Sequence, residues 1–441
     1  MEIDKLENWR RTHYSDQIDL ETLKGKEIIV CGWIKQTRDL GGLKFAILRD
    51  NFGEVQITFP KAKLDEKLFE KANSLRNEIP VAIKGIVKID KRSPTGFELI
   101  PTDLKLLNDV TANLPLDPTY KVKADLDTRL DNRILDLRST QAHATFIIRH
   151  RVTTAMRQFF VKQRFIEINT PRIIATATEG GTELFPIAYF EKEAFLAQSP
   201  QLYKEQLTTV FDKVYEIAPI FRAEEHSTSR HLNELMMVDI EMAFADYNDV
   251  MNVLEELIHY VISDVKNNCE KELNILKKSD LEIPELPFER YTYTEILELL
   301  AKNDHELDWG DDIGTEASRI LGAIISGPYF ITEWPSEGKP FYIQPKDSKP
   351  EISESFDLMY GWIELASGGT RVHKKETLIQ RLINQGLTPS SFDFHLKVFD
   401  WGMPPHAGWG LGLARLVMIL TGKQNIREVV LFPRDRTRLT P

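Results

Sequence analysis

Cations and carboxylates recur in this chain at spacings that would gather them on one sheet face. Two strand-like runs flank a polar stretch between residues 214 and 244. Val214 to Arg222 alternates, so Glu216, Ala218, Ile220 and Arg222 share a face. Met236 to Phe244 places Met236, Val238, Ile240, Met242 and Phe244 on a core side, and Asp239 and Glu241 on the other. An antiparallel hairpin built from these runs collects Arg222, Glu224, Arg230, His231, Asp239 and Glu241 over one surface. Arginines there suit phosphate oxygens, and carboxylates suit ammonium groups or magnesium. Alone, the same pattern also describes a solvated, salt-bridged face.

Four further segments carry chemical residue types. Gly408, Gly410 and Gly412 leave one strand face bare, so a flat ring could lie on the backbone, with Arg415 at the junction to a helix over Leu416–Leu420 that Gly422 ends. The spacing is neither a phosphate-binding P-loop nor a dinucleotide fingerprint. Thr178–Glu183 is a glycine-hinged loop with an acidic tip, suited to a lid. Gln201 and Lys204 follow a proline turn, where a surface helix start is the plainer reading. Glu364, Ser367 and Arg371 offer a hard-metal ligand pair and a bidentate carboxylate receptor. Taken singly, a bend, a turn or an exposed loop accounts for each.

The elements that must position these residues fall into two regions. Strands are expected at Glu27–Arg38, Gly42–Arg49, Glu54–Phe59, Val81–Ile89 and Phe97–Leu107, with a helix over Lys63–Leu75. That order and size suit an OB-type barrel over 1–107, though any small β-barrel or sandwich fits the pattern. Residues 108–138 read as a linker and charged hinge surface. The region 139–441 then mixes helices and strands, giving an α+β chain overall. Its clearest helices are Ala142–Arg164 and Val250–Val265, with a strand over Phe165–Ile168 between them.

At 441 residues the chain exceeds one ordinary core, and its net charge of −11 argues against a protein that coats nucleic acid by bulk attraction. A local basic face and stacking residues still permit specific RNA binding. No apolar run approaches a membrane span, so neither a membrane nor DNA is an expected partner. Cys31 and Cys269 lie far apart and form no metal or redox spacing, which places the chain in a reducing cytoplasm.

Together the segments resemble the class II aminoacyl-tRNA synthetases and, within them, the archaeal-type aspartyl-tRNA synthetases. FIEINTPRI resembles motif 1, FRAEEHSTSRHLNE motif 2 and GWGLGLARLVMIL motif 3, while ATATEGGTELF, FLAQSPQLYK and NIREVVLFPRDRTRLTP resemble stretches of the aspartate branch. The resemblance covers essentially the whole chain. It implies an antiparallel catalytic sheet flanked by helices, a homodimer joined around Pro171, and an N-terminal OB domain that reads the anticodon.

By the same resemblance, Arg222, Ala223, Glu224, Arg230, His231, Leu232 and Glu364 frame ATP together with Gly412, Leu413, Ala414 and Arg415. Arg222 and Arg415 would be the catalytic cations. Glu364 and Ser367 would ligate Mg2+. Glu179, Gln201, Leu202, Tyr203, Lys204, Arg222, Ser367 and Arg371 would surround L-aspartate, with Lys204 and Arg371 on its side-chain carboxylate. In the barrel, Phe45 would stack on an anticodon base while Arg38 and Gln56 bond base edges. Lys35 and Pro94 align with positions associated with discrimination between tRNA(Asp) and tRNA(Asn), and Pro94 resembles the relaxed type. The implied activity is an aspartate–tRNA(Asp/Asn) ligase. Its alternatives are a ligase strict for tRNA(Asp), an asparaginyl enzyme, and a synthetase-like RNA-binding protein without activity. One departure stands in motif 3, where Ala414 replaces the usual acidic residue before the arginine.

Overall fold

The computed structural model describes residues 2–93, 95–175, 184–224 and 228–441. The chain divides into two compact units, Met1–Val122 and Lys123–Pro441. The first unit is a closed five-stranded barrel. Its strands are β1 (Glu27–Asp39), β2 (Leu43–Arg49), β3 (Glu54–Pro60), β4 (Pro80–Ile89) and β5 (Phe97–Leu106), and α1 (Glu66–Asn73) lies between β3 and β4. Alternation drives the closure: Val30, Leu48, Ile57, Ile83 and Leu99 point inward and are fully buried. Gly85 sits at a bulge between β4 and β5, where a Cβ would stand 2.7 Å from the Ile100 carbonyl oxygen.

The stretch 108–138 is shared between the units. Residues 108–122 stay with the barrel, and two short helices, Leu126–Asp131 and Arg133–Asp136, belong to the second unit. The charged hinge surface expected there is partly buried: Arg133 and Asp136 pair inside the protein, and Arg133 donates to the carbonyls of Val430 and Leu431.

The second unit is built on an eight-stranded sheet. In chain order its elements are α2 (Thr140–Lys162), β6 (Ile166–Glu167), α3 (Gln201–Phe211), β7 (Lys213–Phe221), β8 (Glu234–Ala243), α4 (Tyr247–Asn268), β9 (Glu289–Thr292), β10 (Pro328–Thr332), β11 (Ser355–Tyr360), β12 (Ile363–Thr370), α5 (Asp393–Phe399), β13 (His406–Gly412) and α6 (Leu413–Thr421). The strand order is β9-β10-β11-β12-β13-β8-β7-β6, antiparallel except for the two outermost pairs. The expected strand over Phe165–Ile168 shortens to two residues because it pairs with β7 only at Val214 and Tyr215.

One sheet face packs on helices. Asp246 caps α4 by accepting from the amides of Asn248 and Asp249, and the helix then lays Val250, Leu254, Leu257, Ile258 and Val261 on the sheet. The Trp409 ring of β13 is fully buried in this layer and donates to the Val250 carbonyl at 3.0 Å. The other face carries the polar residues. No helix among the described residues is long and apolar enough to cross a membrane.

Candidate active site

The hairpin forms as its alternation requires. β7 and β8 pair in register Glu216↔Asp239, Ala218↔Met237 and Ile220↔Leu235, so one face carries Ile220, Met237 and Asp239. Arg222 lies just past the end of β7, and its backbone amide donates to the Asn233 carbonyl at 2.9 Å. Above this face lies a cleft of about 400 Å3 lined by Gln201, Arg222, Glu224, Arg230, His231, Leu232, Asp239, Glu364, Ser367, Arg371, Gly412, Ala414 and Arg415. Residues from four separate stretches of sequence therefore share one cavity.

Its floor is a buried charge layer. Lys204, 1% exposed, donates from Nζ to Asp239 Oδ1 at 3.0 Å and to the Trp409 carbonyl at 3.2 Å, and lies 3.4 Å from Glu241 Oε2. Arg371, 3% exposed, donates from Nε to Glu241 Oε1 at 2.9 Å. Burial pulls the Arg371 guanidinium down, but the Glu241 carboxylate outweighs it and lifts the group above its ordinary value. Arg371 and Asp239 open onto the cleft. Lys204 stands behind Asp239 and does not line it, so its charge reaches the cavity through that carboxylate.

The glycine strand works differently from the expectation. Bare glycines do not lay an open backbone face toward the cleft along the whole strand. β13 pairs with β8 as Glu241↔Gly408 and Asp239↔Gly410, and the neighbouring carboxylates occupy the missing side-chain space. A Cβ on Gly408 would stand 2.1 Å from Glu241 Oε2, and one on Gly410 would stand 3.2 Å from Asp239 Oδ1. The surface helix start expected at Gln201 is also buried, since α3 inserts Gln201, Leu202, Lys204 and Glu205 into the protein.

At the cleft mouth, Arg415 donates to the Glu364 carbonyl at 2.8 Å, and Arg230 stacks over the Trp362 ring at 4.5 Å. Burial, joined by the charges of Arg415, Arg230 and Arg222, pushes His231 down to about 4. Four cationic or potentially cationic side chains thus converge, an arrangement made for an anion of several charges.

Similarity to known proteins extends over nearly the whole chain. The family described as tRNA synthetases class II (D, K and N) matches residues 125–436, and an OB-fold nucleic acid binding domain matches residues 28–107. The chain belongs to the class II tRNA synthetases. It is 52% identical over 420 residues to an aspartate–tRNA(Asp/Asn) ligase of Archaeoglobus fulgidus, covering 95% of this chain and 97% of that one. It is 53% identical over 438 residues to an aspartate–tRNA(Asp) ligase of Pyrococcus furiosus, covering 98% and 100%. The asparaginyl-tRNA synthetase of Pyrococcus horikoshii, solved with asparaginyl-adenylate, superposes with a TM-score of 0.93 at 31% identity, covering 98% and 100%.

Within this synthetase most expected site residues meet, and some stand back. Leu202 and Leu413 are buried in apolar clusters, and the Tyr203 ring stands 6.0 Å from Phe394, away from the cleft. Ala223 sits in the strand exit between two lining residues. Glu179 and Pro94 lie outside the described residues. Arg38, Phe45 and Gln56 line a separate cleft of about 510 Å3 on the barrel, beside Lys88 and Arg92. Lys35 is not part of that cleft; its ammonium pairs with Glu54.

One carboxylate was not anticipated from the sequence. Asp357 on β11 stands opposite Ser367 in the ladder, its Oδ2 is 3.2 Å from Lys339 Nζ, and its buried Oδ1 has no hydrogen-bond partner among the described residues. Desolvation in the cleft, reinforced by Asp357, raises the Glu364 carboxyl above its ordinary value, although the side chain is half-exposed at the cleft mouth. Two mutually repelling carboxylates, an orphaned carboxylate oxygen and a hydroxyl fit a hard divalent cation such as magnesium. The available signal for Asp357 was a lone carboxylate in an otherwise apolar strand, SFDLMY.

Proposed function

We propose that the synthetase activates L-aspartate with ATP and transfers it to tRNA(Asp) and tRNA(Asn). The observation that carries the amino-acid choice is the placement of Arg371, anchored on Glu241 and open to the same cavity as Arg222 and Arg415. On the floor, Lys204 and Arg371 are matched by Asp239 and Glu241. Because Arg371 also opens onto the cavity, an anionic side chain finds a guanidinium partner there, and a neutral amide of the same size does not.

In this reading the α-ammonium meets Asp239 and Gln201, the side-chain carboxylate meets Arg371 with Lys204 behind, and the α-carboxylate lies at Arg222. That carboxylate attacks the α-phosphorus of ATP, forming aspartyl-adenylate and releasing pyrophosphate. Arg222 neutralises the α-phosphate as charge shifts onto it, and Arg415 and Arg230 hold the rest of the triphosphate. No side chain acts as a covalent nucleophile. Glu364, Ser367 and Asp357 would hold Mg2+, which supplies charge neutralisation on the phosphate oxygens. The terminal ribose hydroxyl of tRNA then attacks the mixed anhydride.

The barrel cleft reads the anticodon, with Phe45 as stacking platform and Arg38 and Gln56 as base-edge partners. Engagement of Lys35 by Glu54 withdraws one cation from base readout, which supports charging of both tRNAs. The protein acts in the cytoplasm as a homodimer, a reading supported by Val161, Ile166 and Ile173, which are 68%, 46% and 48% exposed around motif 1. Charging purified tRNA(Asp) and tRNA(Asn) with aspartate tests the proposal. Both are aminoacylated with aspartate and neither with asparagine. Charging of tRNA(Asp) alone makes the enzyme strict, and pyrophosphate exchange driven by asparagine rather than aspartate refutes the amino-acid assignment.

A further inference from the structure

Beneath the amino-acid end of the cavity lies a polar cluster that the reaction scheme above does not use. Glu205 on α3 is fully buried, as are His395 on α5 and His406 on β13. Their reactive atoms converge. His395 Nε2 is 3.2 Å from Glu205 Oε2 and His406 Nε2 is 3.7 Å from it. None of these three buried atoms has a hydrogen-bond partner among the described residues, so the two imidazoles and the carboxylate are left facing one another. The second oxygen, Glu205 Oε1, accepts from Gln201 Nε2 at 2.6 Å.

The outer contacts fix which atoms carry protons. His406 Nδ1 lies 2.8 Å from the Pro404 carbonyl and must donate to it. If Nε2 were then bare, its lone pair would face a carboxylate oxygen inside the protein, so Nε2 carries a proton too and His406 is an imidazolium. Burial opposes that charge, yet the Glu205 carboxylate outweighs it and raises His406 above its usual value. His395 Nδ1 faces the amide nitrogen of Gln206 at 3.2 Å and accepts from it, which puts the remaining ring proton on Nε2, facing Glu205. Glu205 therefore accepts from Gln201 on one oxygen, faces the two imidazole N–H groups with the other, and stays an ionised acceptor. Burial pushes its carboxyl up, and the two histidines bring it well below the ordinary range. Arg371, Glu241 and His373 are the other charged or titratable groups that act on this cluster.

We infer that Glu205, backed by His395 and His406, is a positioning residue that fixes the polarity of the Gln201 amide toward the amino acid. Because Glu205 can only accept, Gln201 must turn its NH2 inward. Its carbonyl oxygen is then the end that faces the cavity it lines, where it accepts from the substrate's α-ammonium. This rests on the placement of the ammonium proposed above.

A polarity inversion tests it. In Glu205→Gln the two histidine donors hold the new amide oxygen, so the new NH2 faces Gln201 and turns that amide around, pointing a donor at the ammonium. In pyrophosphate exchange, KM for aspartate rises about ten- to hundredfold while KM for ATP stays within about twofold. Adding Gln201→Glu to that variant restores an acceptor on both sides and brings KM for aspartate back toward wild type. An unchanged KM for aspartate in Glu205→Gln, or a rise in both KM values together with no recovery in the double variant, overturns the inference. Should Glu205→Gln not fold, the shorter Glu205→Asp, whose carboxylate draws back from the Gln201 amide and frees it to turn, must give the same aspartate-only rise. Absence of aspartate-driven exchange in the wild type would instead defeat the function proposed above.

Discussion

Replacing Arg371 with methionine keeps the stem and removes the charge, which isolates what the guanidinium does. Glu241 is fully buried and held by Arg371 at 2.9 Å and Lys204 at 3.4 Å. With Arg371 gone, Lys204 must serve both Asp239 and Glu241, and the floor changes from balanced to one net negative charge. Two unit charges 4 Å apart exchange about 4 kcal/mol at an effective dielectric of 20. Losing an attraction of that size at the aspartate side chain weakens binding by roughly a thousandfold. Stability falls as well, by about 3 kcal/mol, toward the low end for breaking a buried pair because Lys204 remains. The assay is aspartate-dependent pyrophosphate exchange at saturating ATP, well below the variant's melting temperature. ATP binding, measured separately, stays near wild type because the proposed triphosphate partners are Arg415 and Arg230, not Arg371. A folded R371M protein whose kcat/KM for aspartate stays within about threefold of wild type would refute the reasoning.

Three other perturbations separate the parts of the molecule. Gly408→Ala forces a Cβ to within 2.1 Å of Glu241 Oε2 and 2.2 Å of the Ile240 carbonyl oxygen, so denaturant unfolding shows a loss of at least about 1–3 kcal/mol, whereas Gly42→Ala, with nothing within 4 Å, is near neutral. Phe45→Ala weakens tRNA binding by about 1–3 kcal/mol through lost stacking and leaves pyrophosphate exchange unchanged, because the proposed adenylate chemistry uses none of the barrel cleft's residues. His231 titrates near 4, below the ordinary histidine value of 6.5, so the unfolded chain binds its proton first and stability is lost as pH falls from 6.5 toward 4. ATP phosphates beside Arg415, Arg230 and Arg222 reverse that repulsion, so histidine NMR titration shows the His231 pKa rising when ATP binds.

Local patterns made much of the fold legible. The barrel strands were readable because each runs for seven or more apolar-rich residues between turns, with clear alternation in β1 and β2. The β7–β8 hairpin was readable for the same reason, and with it the convergence of Arg222 and Asp239. β6 was not, because two residues pairing with one neighbour carry too little pattern to set a boundary.

The chemical inventory of the site was also in the sequence: arginines, carboxylates and an amide in separate segments, ordered as in the class II synthetases. Which atoms touch was not. Sequence spacing says that Lys204 and Arg371 exist, but only the packing of α3 against β8 and β13 puts Lys204 behind Asp239 and leaves Arg371 at the cavity. Gly408 reads as an empty strand position until the register sets Glu241 against it. Glu205, His395 and His406 come from three distant elements, and their shared proton pattern exists only once burial removes water and forces each polar atom to find its partner inside the protein.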